Sequence, residues 1–565
     1  MIQYILLRMS LATHCKRCSA TFNISDADLE FYQRVSPTIA GHKYVVPPPS
    51  LCSDCRMRRR LLFRNFFNIY HDQSSLSGAK MLSMYRAEER PFPVYQTEEW
   101  WSDEWDALEF GLEIDPDKSA LEQNEQLHRT VPRMSLMQIM CENSAFCNFA
   151  WTVKNGYLVF GHVNCEDCCY GHIVWQSKNC FDCLYTYRSE LCYECVDCVQ
   201  CYNVAFSTDV ENCFDSRFLI NCSGCNNCFG CVGLKGAEYH IFNQPVKEKL
   251  YKERIKELER YTREGVAELQ AQIHAMRNEL PVKYYHGFGC EDVSGDYLYF
   301  CSHVFDSYDA KNCEDCRFLG TVDEFTDCYD CNYCAPGTEL TYNCLTVVGY
   351  NLICCHACSN CSELYYCDFC QACKHCFGCV GLRDKQFCIF NKEYSEEDYF
   401  AEVQKLIADM VRSGAWGEFF PDSFSPFGYN ETMAYQYFPL EEQAARAEGY
   451  KWAAKVEQEY KPATFTVPSA ISDVEESICS ELLACFACGK NYKLISKELQ
   501  FYRMMGFPAP KLCFTCRHEK RMQLRNPRRL SERACPKCGV AVKTTYSAER
   551  QETVCCEKCY LKEVY

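Results

Sequence analysis

The chain has 565 residues, 48 of them cysteine, and a formal charge of −17 at pH 7. That length exceeds a single hydrophobic core and points to roughly three to five units, and the acidic balance argues against a surface built as a sleeve for nucleic acid. No run approaches about 18 consecutive apolar residues, which excludes a helical membrane span.

The cysteines are concentrated in CxxC pairs, whereas a disulfide framework belongs to short secreted chains. The start, Met1 to Ala12, has no small-residue cleavage site after its short apolar run, so it reads as unprocessed and the expected compartment is the reducing cytoplasm.

Residues 1–70 carry Cys15-x2-Cys18 and Cys52-x2-Cys55. Two such knuckles can place four thiolates around one Zn²⁺, which suits a small module with little core of its own. The stretch between them contains Leu29-Glu-Phe31-Tyr32, and a basic run follows: Arg56, Arg58, Arg59, Arg60 and Arg64. Residues 71–139 are acidic and aromatic around Trp100, Trp101 and Trp105. They read as a linker or as a cap on the repeat that follows, with a partner-docking strip as the alternative.

Residues 140–243 and 290–391 are two copies of one pattern. A shift of 148 residues carries Asn164-Cys165-Glu166-Asp167-Cys168 onto Asn312-Cys313-Glu314-Asp315-Cys316, and Cys228-Phe-Gly-Cys231 onto Cys376-Phe-Gly-Cys379. Within the second copy Cys313, Cys334, Cys355 and Cys376 follow a 21-residue beat. Almost every cysteine between Cys141 and Cys388 falls in one frame of three, the exceptions being Cys169, Cys290, Cys344 and Cys354. A repeat of this kind predicts a mainly β fold: two cysteine-lined β-solenoid segments of about 21 residues per coil. On that reading Cys313, Cys334, Cys355 and Cys376 stack in one inward file. The interior thiols are small apolar filling or metal ligands along the ladder, Cys355, Cys358, Cys376 and Cys379 being the nearest to a ligand set, with iron–sulfur or disulfide ladders as the remaining alternative.

Residues 244–289 switch to a helical period, with Leu250, Ile255, Leu258, Val266, Leu269, Ile273 and Met276 on one face. The connector 392–478 is helical and mixed. It opens with a helix near Ser395–Ser413 that buries Tyr399, Val403, Leu406, Ile407 and Met410, and carries a second helical stretch from Leu440 to Tyr460. Residues 479–530 hold Cys485-x2-Cys488 and Cys513-x2-Cys516, and residues 531–565 hold Cys535-x2-Cys538 and Cys556-x2-Cys559, with Cys555 as a spare thiol. The first of these pairs repeats the N-terminal module: Phe501-Tyr502 answers Phe31-Tyr32, and Arg525-Asn526 answers Arg64-Asn65.

With its CxxC knuckles, Phe-Tyr pair, Pro-x-x-Cys-x-x-Cys-Arg and basic tail, the chain resembles uncharacterised bacterial cysteine-rich proteins that carry probable zinc-ribbon domains. The resemblance implies about three structural zinc sites and no particular reaction.

The expected function is a zinc-binding, non-enzymatic interaction scaffold with a protein partner. The alternatives are a zinc-ribbon nucleic-acid-binding protein using the basic segments 56–64 and 511–533, and a metal-storage or thiol redox protein. No catalytic constellation stands out; His162 and His172 are the histidines nearest the first cysteine ladder.

Overall fold

The computed structural model describes residues 10–144, 146–454 and 459–564. The reading of Met1–Ala12 as an unprocessed start therefore falls largely outside the described residues. The fold is mostly strands in large parallel sheets of 8, 5 and 11 strands, and 12 α-helices accompany them among the described residues.

In the first stack, strands from Asn148–Lys154 through Phe160–Glu166, His172–Trp175 and Leu184–Tyr187 pair in chain order. Four ladders start three residues apart and advance together: Tyr157–Cys169–Phe181, Phe160–His172–Leu184, Val163–Trp175–Tyr187 and Glu166–Lys178–Glu190. Each step is 12 residues, not the 21 expected from the cysteine beat. A frame of three places an inward residue after every corner, so any multiple of three keeps a cysteine inward without fixing the length of a turn. The expected single file is corrected accordingly. Cys334 faces Val322, Cys376 lies between Leu364 and Cys388, Cys355 follows Cys344, and Cys313 adjoins the Ser302–Glu314 bridge. The four cysteines thus occupy different ladders, because 21 residues is one 12-residue turn plus three further sides.

The frame has a backbone cause. Every third residue has φ between about +45° and +62°, as in Asn164, Asp167, Tyr170 and Ile173, and forms a corner. The corner residue and the residue before it hydrogen-bond through their backbones to neighbouring turns, as Asp167 N to Lys154 O and Glu166 N to Ser177 O. The residue after the corner points inward; at Ala150, Leu298 and Ser307 its N–H still reaches a backbone carbonyl one turn back, but at other inward positions it turns to a side chain. There the acceptor also lies one turn back: Cys225 N donates to Cys213 Sγ at 3.3 Å, Cys373 N to Cys361 Sγ at 3.4 Å, and Cys201 N to Ser189 Oγ at 3.1 Å. Interior thiols also donate to carbonyls, as Cys180 Sγ to Lys178 O at 3.4 Å. Cysteine fits because it is small and largely apolar yet carries a weak donor and a weak acceptor. Cys147, Cys168, Cys183, Cys195 and Cys231 are fully buried in this interior.

The second stack repeats the pattern with three irregular turns. Phe325 faces Thr338, a 13-residue step, and Glu339 faces Tyr350, an 11-residue step; Gly287 and Leu298 are also 11 apart. These shifts explain Cys344, which follows the long turn, and Cys290, which precedes a short one. Cys354 is itself a corner residue (φ 54°), and Cys169 belongs to a ladder and packs outward.

Each stack ends in a short hairpin followed by a helix. Ile241 pairs with Gln244 before Glu248–Leu258, and Ile389 with Lys392 before Glu396–Ser413. Asn243 and Asn391 close the last turns by bonding both backbone groups of Val232 and Val380. The helix Glu396–Ser413 starts on the Ser395 cap, buries Tyr399, Val403, Leu406, Ile407 and Met410, and stops at Gly414 with φ 74°. The helix expected over Leu440–Tyr460 covers only Glu442–Ala447 among the described residues, because Gly449 at φ 85° turns the chain away.

Candidate metal centres

Three sets of four cysteines converge: Cys15, Cys18, Cys52 and Cys55; Cys485, Cys488, Cys513 and Cys516; Cys535, Cys538, Cys556 and Cys559. Within each set the four sulfurs lie within 4.8 Å of one another. Each first knuckle is a tight turn. Ser19 N, Gly489 N and Gly539 N return to the carbonyls of Cys15, Cys485 and Cys535, and these three turn residues have φ of 60°, 74° and 74°. Each second knuckle sits at a helix start. Cys52 caps Ser53–Leu61 and Cys513 caps Phe514–Met522, while Cys556 precedes Glu557–Val564. Helix N-termini favour thiolates through their free N–H groups and dipole.

The local fields agree. Burial disfavours ionisation of Cys485, but backbone N–H groups of Cys513, Cys488 and Ala487 aimed at its sulfur bring it down to about 6. Cys535 reaches about 6 through the N–H groups of Cys556, Lys537 and Cys538, again against burial. Bonding to the Cys55 thiol lowers Cys52 to about 5 and correspondingly raises Cys55. At least one member of each set is thereby favoured as a thiolate, while burial and neighbouring thiols raise Cys513 and Cys516, and bonding to Cys556 and Cys538 raises Cys559.

The interior thiols differ. Their local fields run both ways: burial pushes Cys147 up to about 12 and Cys354 well above its ordinary value, whereas hydrogen bonds from neighbouring thiols outweigh burial at Cys183, brought down to about 6, and at Cys379, brought down to about 5. Among the described residues, no interior set converges as the three module sets do. Cys355, Cys358, Cys376 and Cys379 are not such a set. Cys367 stands one turn beyond Cys355 and Cys379 two, while Cys376 lies on the ladder of Leu364. Cys555 is buried in the strand Val554–Cys555, outside the third set. His162 and His172 are fully buried, and desolvation holds both well below the ordinary imidazole value; His172 packs against Phe66, Phe67 and His518.

The basic segments are engaged inside the molecule. Arg56, Arg60 and Arg64 recur every four residues, so one side of their segment faces the second stack. Arg56 Nε bonds Asp330 at 2.9 Å, Arg60 reaches Asp330 and Asn332, and Arg64 lies over the Phe149 ring and bonds Thr346. Arg517, Arg521 and Arg525 do the same on the first stack. Arg517 and Arg521 share Asp182, and Arg525 and Arg528 reach Asp309, with Arg525 also on Asp197. These seven arginines are all under a tenth exposed. Their carboxylate partners Asp182, Asp197, Asp309 and Asp330 all sit at positive-φ corners, where aspartate is tolerated better than most residues. The four-residue arginine spacing was visible in the sequence; the aspartates hundreds of residues away were not.

No protein-family model matches this chain, and no curated protein matches it. The likeness to bacterial zinc-ribbon proteins therefore rests on the motif residues alone. Among the described residues, no helix is long and apolar enough to cross a membrane.

Proposed function

We propose that the protein is a zinc-stabilised, non-enzymatic interaction scaffold of the cytoplasm, built on two β-solenoids. The observation that carries this is the pairing of each arginine helix with a four-cysteine set at its N-terminus: the thiol centre anchors the helix whose far side holds a stack. Zinc fits the donor set. Four sulfurs about 2.3 Å from a tetrahedral ion stand about 3.8 Å apart, and neighbouring sulfurs here are 3.6 Å (Cys18–Cys52), 3.7 Å (Cys488–Cys513) and 3.7 Å (Cys538–Cys556) apart. Four thiolates close the coordination sphere and supply rigidity rather than an open catalytic position.

The experiment is Cys513→Ser. The reading expects loss of one zinc of three and cleavage by protease within residues 485–526, with the stacks intact. Unchanged zinc content together with unchanged protease resistance overturns it.

A further inference from the structure

The first and second four-cysteine modules are two versions of one device, so each shows what the other needs in order to fold. Phe31 stacks on Tyr329 at 3.8 Å and Phe501 on Phe181 at 4.0 Å, and Tyr329 and Phe181 are 148 residues apart. The first knuckles are built from the same bonds. Cys15 N donates to Ala20 O at 2.9 Å as Cys485 N does to Lys490 O at 2.8 Å, and Lys16 N donates to Ser50 O at 3.1 Å as Phe486 N does to Lys511 O at 3.0 Å. The hairpins that enter the knuckles share their register too, His14 with Thr21 and Ala484 with Asn491.

This correspondence isolates four positions at which the modules differ. Lys16, Ala20, Asn23 and Ser50 of the first module stand where the second has Phe486, Lys490, Lys493 and Lys511. The second module thus carries an aromatic ring and three lysines where its counterpart folds with a single lysine, so the fold does not demand them. Phe486 is 86% exposed, more than any other large apolar side chain among the described residues. Lys490 and Lys493 are exposed and Lys511 is half-buried. Lys461 is brought alongside, because Asn491 holds its N–H at 2.8 Å and its carbonyl at 2.9 Å.

Among the described residues none of these four lysines is paired with a carboxylate, whereas at the other first knuckles Arg17 is bound by Asp422, Lys537 by Glu563 and Lys543 by Asp306. Lys543 is the third module's counterpart of Lys493. A single exposed ring is ordinary on a protein surface. A ring at the tip of a tight turn, ringed by unpaired cations, is the pairing that single-stranded nucleic acid calls for: a π-face for a base and charges for the phosphates beside it. An acidic peptide would satisfy the charges but leave the ring without a planar partner, and a duplex would offer phosphates with its bases already stacked.

We infer that the tip of the second module binds single-stranded nucleic acid, Phe486 stacking on a base while Lys461, Lys490, Lys493 and Lys511 meet the neighbouring phosphates. The inference rests on the scaffold reading and names the class of one partner. The arginines of the same module take no part, since they are engaged with the stacks.

The test uses the full-length, zinc-loaded protein and a fluorescein-labelled oligouridylate of about 15 nucleotides, followed by anisotropy at low salt. Saturable binding is expected, and log affinity should fall with log salt at a slope of about −3 for four phosphate contacts. Phe486→Ala should weaken binding at least about fivefold. Lys490→Ala combined with Lys493→Asn, the residues that the first module carries, should weaken it about tenfold and bring the slope about 1.4 nearer zero. No saturation up to about 0.1 mM protein, or binding that neither change weakens, overturns the proposal. So does equal affinity for a duplex of the same length, or displacement of the strand by polyglutamate at equal charge, which would assign the face to an acidic protein. Zinc content measured on the same samples separates these outcomes from failure of the zinc scaffold itself.

Discussion

Asp182→Asn isolates the contact that fixes the second four-cysteine module to the first stack. The Asp182 carboxylate is fully buried and receives Arg517 and Arg521, the latter at 2.7 Å. The amide keeps the shape and one acceptor oxygen but removes the charge. Arg517 then retains Glu498 at 3.2 Å, while Arg521 is left with the carbonyl of Tyr170. Removing one partner of a buried ion pair costs about 3–5 kcal/mol, because the remaining charge stays desolvated. With a denaturant slope of about 2 kcal/mol per molar urea, module release should occur about 2 M earlier. Pulse proteolysis across a urea series, with cleavage mapped to residues 485–526 or 10–65, reads this directly. Asp182→Asn should expose 485–526 early and leave 10–65 unchanged; Asp330→Asn should do the reverse. If the two variants expose both regions alike, or neither, the arginine–aspartate contacts do not hold the modules.

Cys361→Ala should destabilise the second stack by about 2 kcal/mol, since the Cys373 N–H loses its acceptor, whereas Cys361→Ser keeps an acceptor and should cost clearly less. Equal urea midpoints for the two variants would refute the hydrogen-bonding role of the interior thiols. His286 is buried, which disfavours its charge, but the carboxylates of Asp296 and Asp209 outweigh that and hold it up to about 9. Its folded value is raised, so the stabilisation is full below about pH 6.5 and is lost as pH rises through about 9, a difference of about 2–4 kcal/mol. Thermal unfolding should fall over that window in the parent and be flatter in His286→Gln; parallel profiles would count against the ion pair.

What could be read in advance follows the range of each interaction. The twelve module cysteines were legible because a knuckle is a local device, two thiols separated by two residues. The inward frame was legible because a corner recurs every three residues, and the match of Cys165 to Cys313 because an offset of 148 preserves it. The 12-residue turn was not, since cysteine occupies each ladder only intermittently and steps of 21 stay in frame. The docking of Arg56 on Asp330 spans 274 residues, and no local pattern encodes such a partner. The hairpin Tyr70–Gln73/Lys80–Ser83 shares the register and turn bonds of Ser531–Ala534/Ala541–Thr544, with Ser74 where that hairpin has Cys535, so its likeness lies in backbone geometry and no cysteine motif marks it.

The most direct measurement is elemental analysis of full-length protein purified without oxygen, before and after mild chelation. The account predicts three zinc ions per chain and no other stoichiometric metal, with loss of zinc releasing residues 10–65 and 485–564 to protease while the stacks resist. Iron in stoichiometric amount, zinc well above three per chain, or complete metal loss with unchanged proteolysis would contradict it.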